Sequence, residues 1–178
     1  MAWMNSEQSY GLVAKFLHWL LATVIISLVA VGFIMGDIKS ESLQGQAYNL
    51  HKLFGLLVFG LGIGFILWRL FNTKPSYPPT MPSWEKHAAR IVHVLLYLVL
   101  LFMPILGFIT ATAAGYPPHI GAWVIPSLGI PLDQPLAEFA GELHRIMAWT
   151  LITLVAIHTM AALKHHFIEK DNILTRML

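Results

Sequence analysis

Apolar residues are concentrated in four long stretches of the chain, and polar residues fall mostly between them. The stretches cover 16–35, 53–71, 91–114 and 146–163, and only Pro104 interrupts the third. A helix needs about 20 mostly apolar residues to cross a bilayer. The fourth helix is expected to start near residue 138, because only Gly141 breaks the helical pattern before residue 146. The pattern predicts an all-α protein, a transmembrane four-helix bundle.

We expect one membrane domain over residues 1–178, with helices at approximately 12–35, 51–71, 87–114 and 138–166. The chain contains no internal repeat and no stretch that indicates a separate soluble domain. The first apolar run is longer than the core of a signal peptide, and no typical small-residue cleavage site follows it. It is therefore predicted to be a retained helix.

Composition supports the membrane assignment. Hydrophobic residues make up 57% of the chain and charged residues only 11%, too few to cover a water-soluble surface. The absence of cysteine excludes disulfides, iron–sulfur ligation, thiolate zinc sites and c-type haem attachment. A net charge of +2 gives no basic surface for nucleic acid, so the bilayer is the expected environment.

The distribution of basic residues predicts the orientation. With four crossings, the 11 lysines and arginines divide into eight on one side and three on the other. Positive charge is enriched in cytoplasmic loops, so the larger group and both termini are expected in the cytoplasm. The cytoplasmic set is Lys15, Arg69, Lys74, Lys86, Arg90, Lys164, Lys170 and Arg176; the opposite set is Lys39, Lys52 and Arg145.

Histidines in the apolar stretches can be sorted by depth. His18 lies three residues after Lys15, and His158 lies six residues before Lys164, so both are expected near the cytoplasmic surface. Ionisable groups are costly in lipid and are usually functional there. These two histidines therefore form a candidate pair drawn from two helices.

A second pair is predicted near the periplasmic surface, where His51 and His144 each precede a basic residue. His144 and His158 are 14 residues apart on one helix. That spacing returns to within about 40° of the same face and corresponds to about 21 Å along the axis. One helix thus offers one imidazole to each half of the membrane.

Two imidazoles from different helices of a bundle can hold a b-type haem. Two such sites, stacked across the membrane, would form a path for electrons. Gly55 and Gly62 follow His51 on its own face, and Gly32 lies at the depth of the periplasmic pair, so these positions offer clearance for a flat macrocycle.

Other interpretations of these residues remain open. Membrane-helix glycines often serve close packing, and Gly60-x-x-x-Gly64 fits that pattern. The histidines could belong to a proton path or ligate a transported metal ion. Against transport, the helix interiors lack the carboxylates that usually accompany such sites.

Basic residues near the pairs are candidates to bind haem propionates. Arg69 lies 18 residues, five turns, after His51 and so on the same face, at cytoplasmic depth. Lys52 and Arg145 are the corresponding candidates on the periplasmic side.

Two further histidines lie near the cytoplasmic surface. His93 is an alternative ligand to His158, or lies beside a cofactor or quinone. His165 lies about two turns after His158, at the boundary where a quinone headgroup and its protons can meet. It is the quinone-binding candidate.

Several short segments resemble the prokaryotic cytochrome b561 family, and their order and spacing match over nearly the whole chain. They are Phe16-Leu17-His18-Trp19, Asn49-Leu50-His51-Lys52, Tyr97 with Pro104-Ile105-Leu106-Gly107, Leu143-His144, His158, and the tail from His165-His166-Phe167 through Asp171-Asn172-Ile173-Leu174 to Arg176-Met177.

The resemblance implies a bacterial inner-membrane protein with two haem b groups, whose iron ligands are His18, His51, His144 and His158. It implies electron exchange with ubiquinone and, on the periplasmic side, superoxide or another small electron donor. The expected function is a di-haem relay, in enzymatic terms a superoxide oxidase with ubiquinone as acceptor. The alternative is a haem-bearing membrane anchor or electron-transfer subunit that connects quinol with a separate redox partner. Related subunits of that kind usually carry extra helices or longer soluble segments.

Overall fold

The computed structural model describes residues 2–178, which form long helices joined by short connections. The helices are α1 (Leu12–Ile34), α2 (Glu41–Phe71), α3 (Ser83–Ala113) and α4 (Gln134–Lys164). All four are long and apolar enough to cross a membrane. Even α1, with 23 residues, extends roughly 35 Å. The predicted all-α four-helix architecture is confirmed.

Three helices begin earlier than the hydrophobic pattern predicts. Helix α2 starts at Glu41 instead of residue 51, and the Ser40 side chain caps its first turn. Helix α4 starts at Gln134 instead of residue 138, capped by Asp133. Helix α3 begins directly after Pro82. Caps rather than hydropathy therefore mark the starts of α2 and α4, whereas Pro82 makes no side-chain cap bond to α3.

The apolar side chains divide between the bundle surface and a small core. Phe16, Ile26 and many other large side chains are exposed on the outside, as expected for a surface that contacts lipid. Inside, Leu151 of α4 packs with Val99 of α3 and is buried. Leu151 is seven residues from each of the two histidines of α4, so this core lies midway between them.

Consecutive helices pack against each other, and α3 with α4 forms the most extensive contact. The backbones of α1 and α4 approach each other much less closely. Side chains of both helices therefore face a shared interior space.

The two ends of the bundle are built differently. At the terminal end, defined by residues 2–11, 72–82 and 170–178, the amide of Ser76 donates to the carbonyl of Glu7 at 2.9 Å. The Arg176 guanidinium donates to the carbonyl of Ser76. These contacts join both ends of the chain to the α2–α3 connection.

The hairpin end comprises residues 35–40 and 114–133. It contains strands β1 (His119–Ile120) and β2 (Trp123–Val124), which pair antiparallel. The Asn49 side chain bonds both the amide and the carbonyl of His119, at 3.0 and 2.8 Å. The first turns of α2 thereby hold the hairpin in place.

Candidate functional site

A cavity of about 1240 Å³ runs through the bundle between the helices. It reaches from the terminal end past the core toward the hairpin end, and its lining includes side chains of all four helices. The histidines that line it are His18, His51, His93, His144, His158 and His165.

The first predicted pair meets in this cavity. The ring centroids of His18 on α1 and His158 on α4 are 6.2 Å apart, with 56° between the ring planes. Both lie on the terminal-end side of Leu151, as the depth argument predicts for the cytoplasmic pair.

The second predicted pair meets toward the hairpin end. The ring centroids of His51 on α2 and His144 on α4 are also 6.2 Å apart, at 73°. The Nδ1 atom of His144 is 3.0 Å from the carbonyl of Met103, which fixes the ring and leaves Nε2 facing away from that bond. Within the described residues, the buried Nδ1 of His51 has no hydrogen-bond partner.

Two glycines provide the clearance around the second pair. A Cβ at Gly32 would lie 3.2 Å from Cε1 of His51, and a Cβ at Gly107 would lie 3.1 Å from Cε1 of His144. Both distances are tighter than ordinary van der Waals contact. An added Cβ at either glycine would require the imidazole to shift by a few tenths of an ångström.

The other glycines singled out in the sequence differ in what surrounds them. Gly55 lines the cavity, and no described atom would lie within 4 Å of a Cβ there. Gly62 instead lies against Leu100, 2.8 Å from such a Cβ, so it serves helix packing. Gly60 and Gly64 meet no described atom within 4 Å, which places the Gly60-x-x-x-Gly64 motif away from the helix contacts of this chain.

His93 lies beside the first pair and makes contacts of its own. Its ring centroid is 5.1 Å from that of His158, and its Nδ1 is 2.6 Å from the carbonyl of Ala89. The ring also stacks on Tyr97, with centroids 6.4 Å apart. The Arg69 guanidinium lies over Tyr97, 5.3 Å from the ring centroid. Arg69 thus reaches the neighbourhood of the first pair, at the depth predicted for it.

Basic and polar groups gather where the cavity approaches the terminal end. Arg69, Lys74 and Arg176 line this part. Trp68 Nε1, Asn72 Oδ1 and Arg176 Nε are buried without hydrogen-bond partners among the described residues. Unpaired buried polar atoms are costly, so this region is suited to a ligand that carries oxygen atoms or negative charge.

The two basic candidates near the second pair occupy different positions. Arg145 lines the cavity, but its guanidinium forms a 2.6 Å ion pair with Glu142. Lys52 does not line the cavity, and its Nζ donates to the carbonyl of Tyr116 at 2.7 Å. This bond holds the α3–α4 connection, and the propionate role of Lys52 stays a prediction.

His165 is buried, and each of its ring nitrogens faces a carboxylate. Nδ1 is 2.7 Å from Asp171 Oδ2, and Nε2 is 3.5 Å from Glu85 Oε2. Only the Nδ1 contact is a hydrogen bond, so a quinone oxygen that bound His165 would bind Nε2, next to the Glu85 carboxylate. Asp171 lies six residues after His165 in the chain, but Glu85 is 80 residues away, and no sequence signal indicates that it meets His165.

The fold and the paired histidines define a class: a multi-pass membrane protein with imidazole pairs inside a helical bundle, typical of membrane b-type cytochromes. The model for prokaryotic cytochrome b561 matches residues 9–178. The chain belongs to the prokaryotic cytochrome b561 family.

Relatives support the assignment over the full length. The chain is 36% identical to cytochrome b561 homolog 2 of Escherichia coli K12, with 100% of this chain and 95% of the relative covered. It is 27% identical to cytochrome b561 homolog 1 of the same organism, covering 92% and 93%. It is 25% identical to a protein named probable superoxide oxidase CybB of Yersinia pestis, covering 97% of each chain. The protein is thus a multi-pass membrane electron-transfer protein of the bacterial inner membrane.

The residues present fit haem b, the cofactor that this family implies. Metal–imidazole bonds are about 2 Å long, so two rings on one iron have centroids about 6 Å apart. The separation is 6.2 Å in each pair. The Nδ1 contact of His144 with a backbone carbonyl is the partner that metal-bound histidines usually have. Among residues 2–178, no group of three or more His, Asp or Glu side chains is arranged to hold a metal ion.

Proposed function

We propose that the protein is a di-haem b cytochrome that transfers electrons between a donor at the hairpin end and ubiquinone at the terminal end. His18 with His158 would hold one haem, and His51 with His144 the other. The observation that carries this proposal is the equal centroid separation of 6.2 Å in two histidine pairs within one cavity. Bound haem supplies reversible one-electron transfer.

The surroundings of the pairs support two separate sites. The packed side chains of Val99, Leu151 and Leu154 lie between the two pairs. The 14-residue spacing on α4 corresponds to about 21 Å between the α-carbons of His144 and His158. The protein's contribution is to fix the ligands and to exclude water around them.

The polar residues support different partners at the two ends. Arg69, Lys74 and Arg176 would bind the propionates of the haem held by His18 and His158, or the oxygens of a quinone. At the other end, Arg145 is the basic residue on the cavity wall, where it can attract a small anion such as superoxide. The relative named probable superoxide oxidase motivates this choice of donor.

The orientation completes the proposal. The basic residues favour a cytoplasmic terminal end and a periplasmic hairpin end. Electrons would then enter from the periplasm, and ubiquinone would be reduced where cytoplasmic protons are available.

The test uses purified protein in detergent. A pyridine haemochrome assay should give two haem b per chain, and superoxide should reduce them in the absence of other donors. Added ubiquinone should reoxidise the protein. Absence of b-type absorbance would overturn the proposal. Reduction by ubiquinol without any reaction with superoxide would instead support an electron-transfer subunit for a separate redox partner.

A further inference from the structure

A cluster of ionisable side chains closes the terminal end of the cavity. It brings together Glu85 of α3, Lys164 at the end of α4, and His165, Glu169 and Asp171 just beyond it. Lys164 Nζ is 2.6 Å from Glu85 Oε1 and 3.2 Å from Glu169 Oε1. We call these five residues the terminal cluster.

Local backbone geometry holds His165 at the centre of this cluster. The chain leaves α4 through a π-helical turn, His165–Glu169, and Lys170 then adopts a left-handed conformation with φ of 56°. This turn lets the Asp171 amide donate to the His165 carbonyl at 3.1 Å, while the Asp171 carboxylate meets Nδ1 of the ring. Single π turns of this kind often occur at functional sites.

The terminal cluster connects solvent with the cavity. The side chain of Asp171 is 15% exposed, whereas those of His165 and Glu85 are only 8% and 11% exposed. Glu85 and His165 also line the same cavity as His93 and His158. Asp171, His165 and Glu85 therefore lie in sequence from the surface to the cavity, with 2.7 Å between the first two groups and 3.5 Å between the last two.

We propose that Asp171, His165 and Glu85 form a proton relay into the cavity, an inference that rests on the proposed reduction of ubiquinone there. Asp171 passes a proton from solvent to Nδ1 of His165, the ring releases its other proton from Nε2 to Glu85, and Glu85 delivers it toward the quinone. An imidazole can accept a proton at one nitrogen and release one at the other. Ubiquinone becomes ubiquinol by taking up equal numbers of electrons and protons, the electrons arriving by the proposed path.

This role differs from the direct quinone binding predicted for His165, because Nδ1 already bonds Asp171 and the Glu85 carboxylate lies 3.5 Å from Nε2. A purely structural role would instead make the cluster a clamp for residues 171–178, whose Met177 carbonyl also accepts a hydrogen bond from Trp19. If the cluster is a relay, a small proton carrier such as imidazole should rescue a variant that lacks the His165 ring, and heavy water should slow the variants more than the unmodified protein. If the cluster is a clamp, neither effect is expected.

The experiment uses chemically reduced, haem-loaded protein mixed with ubiquinone, with reoxidation followed by haem absorbance. His165→Ala, Glu85→Gln and Asp171→Asn should each retain both haems and slow reoxidation by about tenfold. The solvent isotope effect should rise in each variant, and added imidazole should restore the rate of His165→Ala. Glu169→Gln is the matched control, because Glu169 bonds only Lys164, and it should behave like the unmodified protein.

Glu85→Gln and Asp171→Asn preserve the shape of the side chain. Unchanged reoxidation rates in these two variants would overturn the relay but not the proposed reduction of ubiquinone. Slow reoxidation that imidazole does not restore, with an unchanged isotope effect, would assign the cluster a structural role and also overturn it. If the unmodified protein is not reoxidised by ubiquinone, the proposed acceptor and the relay that depends on it both fail.

Discussion

Individual side chains at this site are held by their immediate neighbours. The Met103 carbonyl fixes the His144 ring, and Gly107 leaves room beside it. The sequence shows which histidines share a depth, because Lys15 and Lys164 mark distance from the surface. It does not show which glycine touches which ring, since that depends on how two helices are rotated against each other.

Gly107→Ala tests this clearance. The new methyl would lie 3.1 and 3.2 Å from two atoms of the His144 ring, so we expect loss of the haem held by His51 and His144. Alanine favours a helix over glycine by about 1 kcal/mol, so helix weakening would not explain such a loss. Haem content should fall toward half by pyridine haemochrome assay. The control is Gly64→Ala, which has open space around the new methyl and should keep the full haem content. Full haem content in Gly107→Ala would refute the steric argument.

Glu142→Gln tests the attraction of an anionic donor. The change frees Arg145 from its ion pair and removes a negative charge from the proposed entry point. Reduction by superoxide should accelerate by about threefold, and the effect should shrink at high ionic strength. Glu138→Gln, one turn earlier on the same helix, should have a smaller effect. Equal rates in all three proteins would argue against steering by Arg145.

At the scale of the elements, α4 determines the arrangement, because it supplies one histidine to each pair and Leu151 between them. The heptad-like spacing of His144, Leu151 and His158 was visible in the sequence. The π turn after Lys164 was not, since it depends on a contact between Asp171 and the backbone of His165. The carboxylates that contact His165 could therefore be identified only from the structure.

Leu151→Ala tests the packed core between the two pairs. Removing a buried leucine side chain leaves a cavity and should cost about 3 kcal/mol of stability. The measurement is thermal unfolding in detergent, with haem content as a check that both sites persist. Leu163→Ala, on the exposed face of α4, should change the unfolding temperature far less. Similar losses in both variants would mean that Leu151 is not part of a packed core.

At the scale of the whole molecule, hydropathy predicted the helix number and class because lipid demands long apolar helices. The early start of α2 was missed, because its first ten residues lie outside the apolar run. The bond from Lys52 to the Tyr116 carbonyl was not predicted either, because the α3–α4 connection folds back to meet Lys52. A local cap at Ser40 explains the first difference, and a contact between segments distant in sequence explains the second.

The orientation in the membrane is tested with reporter fusions after Leu178. The eight-to-three distribution of basic residues predicts that this end is cytoplasmic. A reporter active only in the cytoplasm should work there, and a periplasmic reporter should be silent. Fusions within 121–129 should give the opposite result. Periplasmic activity at Leu178 would reverse the proposed direction of electron entry.

The central claim is that two histidine pairs hold two haems, and single substitutions on α4 test it most directly. His144→Ala should remove the haem at the hairpin end, and His158→Ala the haem at the terminal end, so each purified variant should contain about half the haem b of the unmodified protein. The two variants should also keep different spectra, because each retains a different site. Full haem content in either variant would contradict the account, and in His158→Ala it would assign ligation to His93.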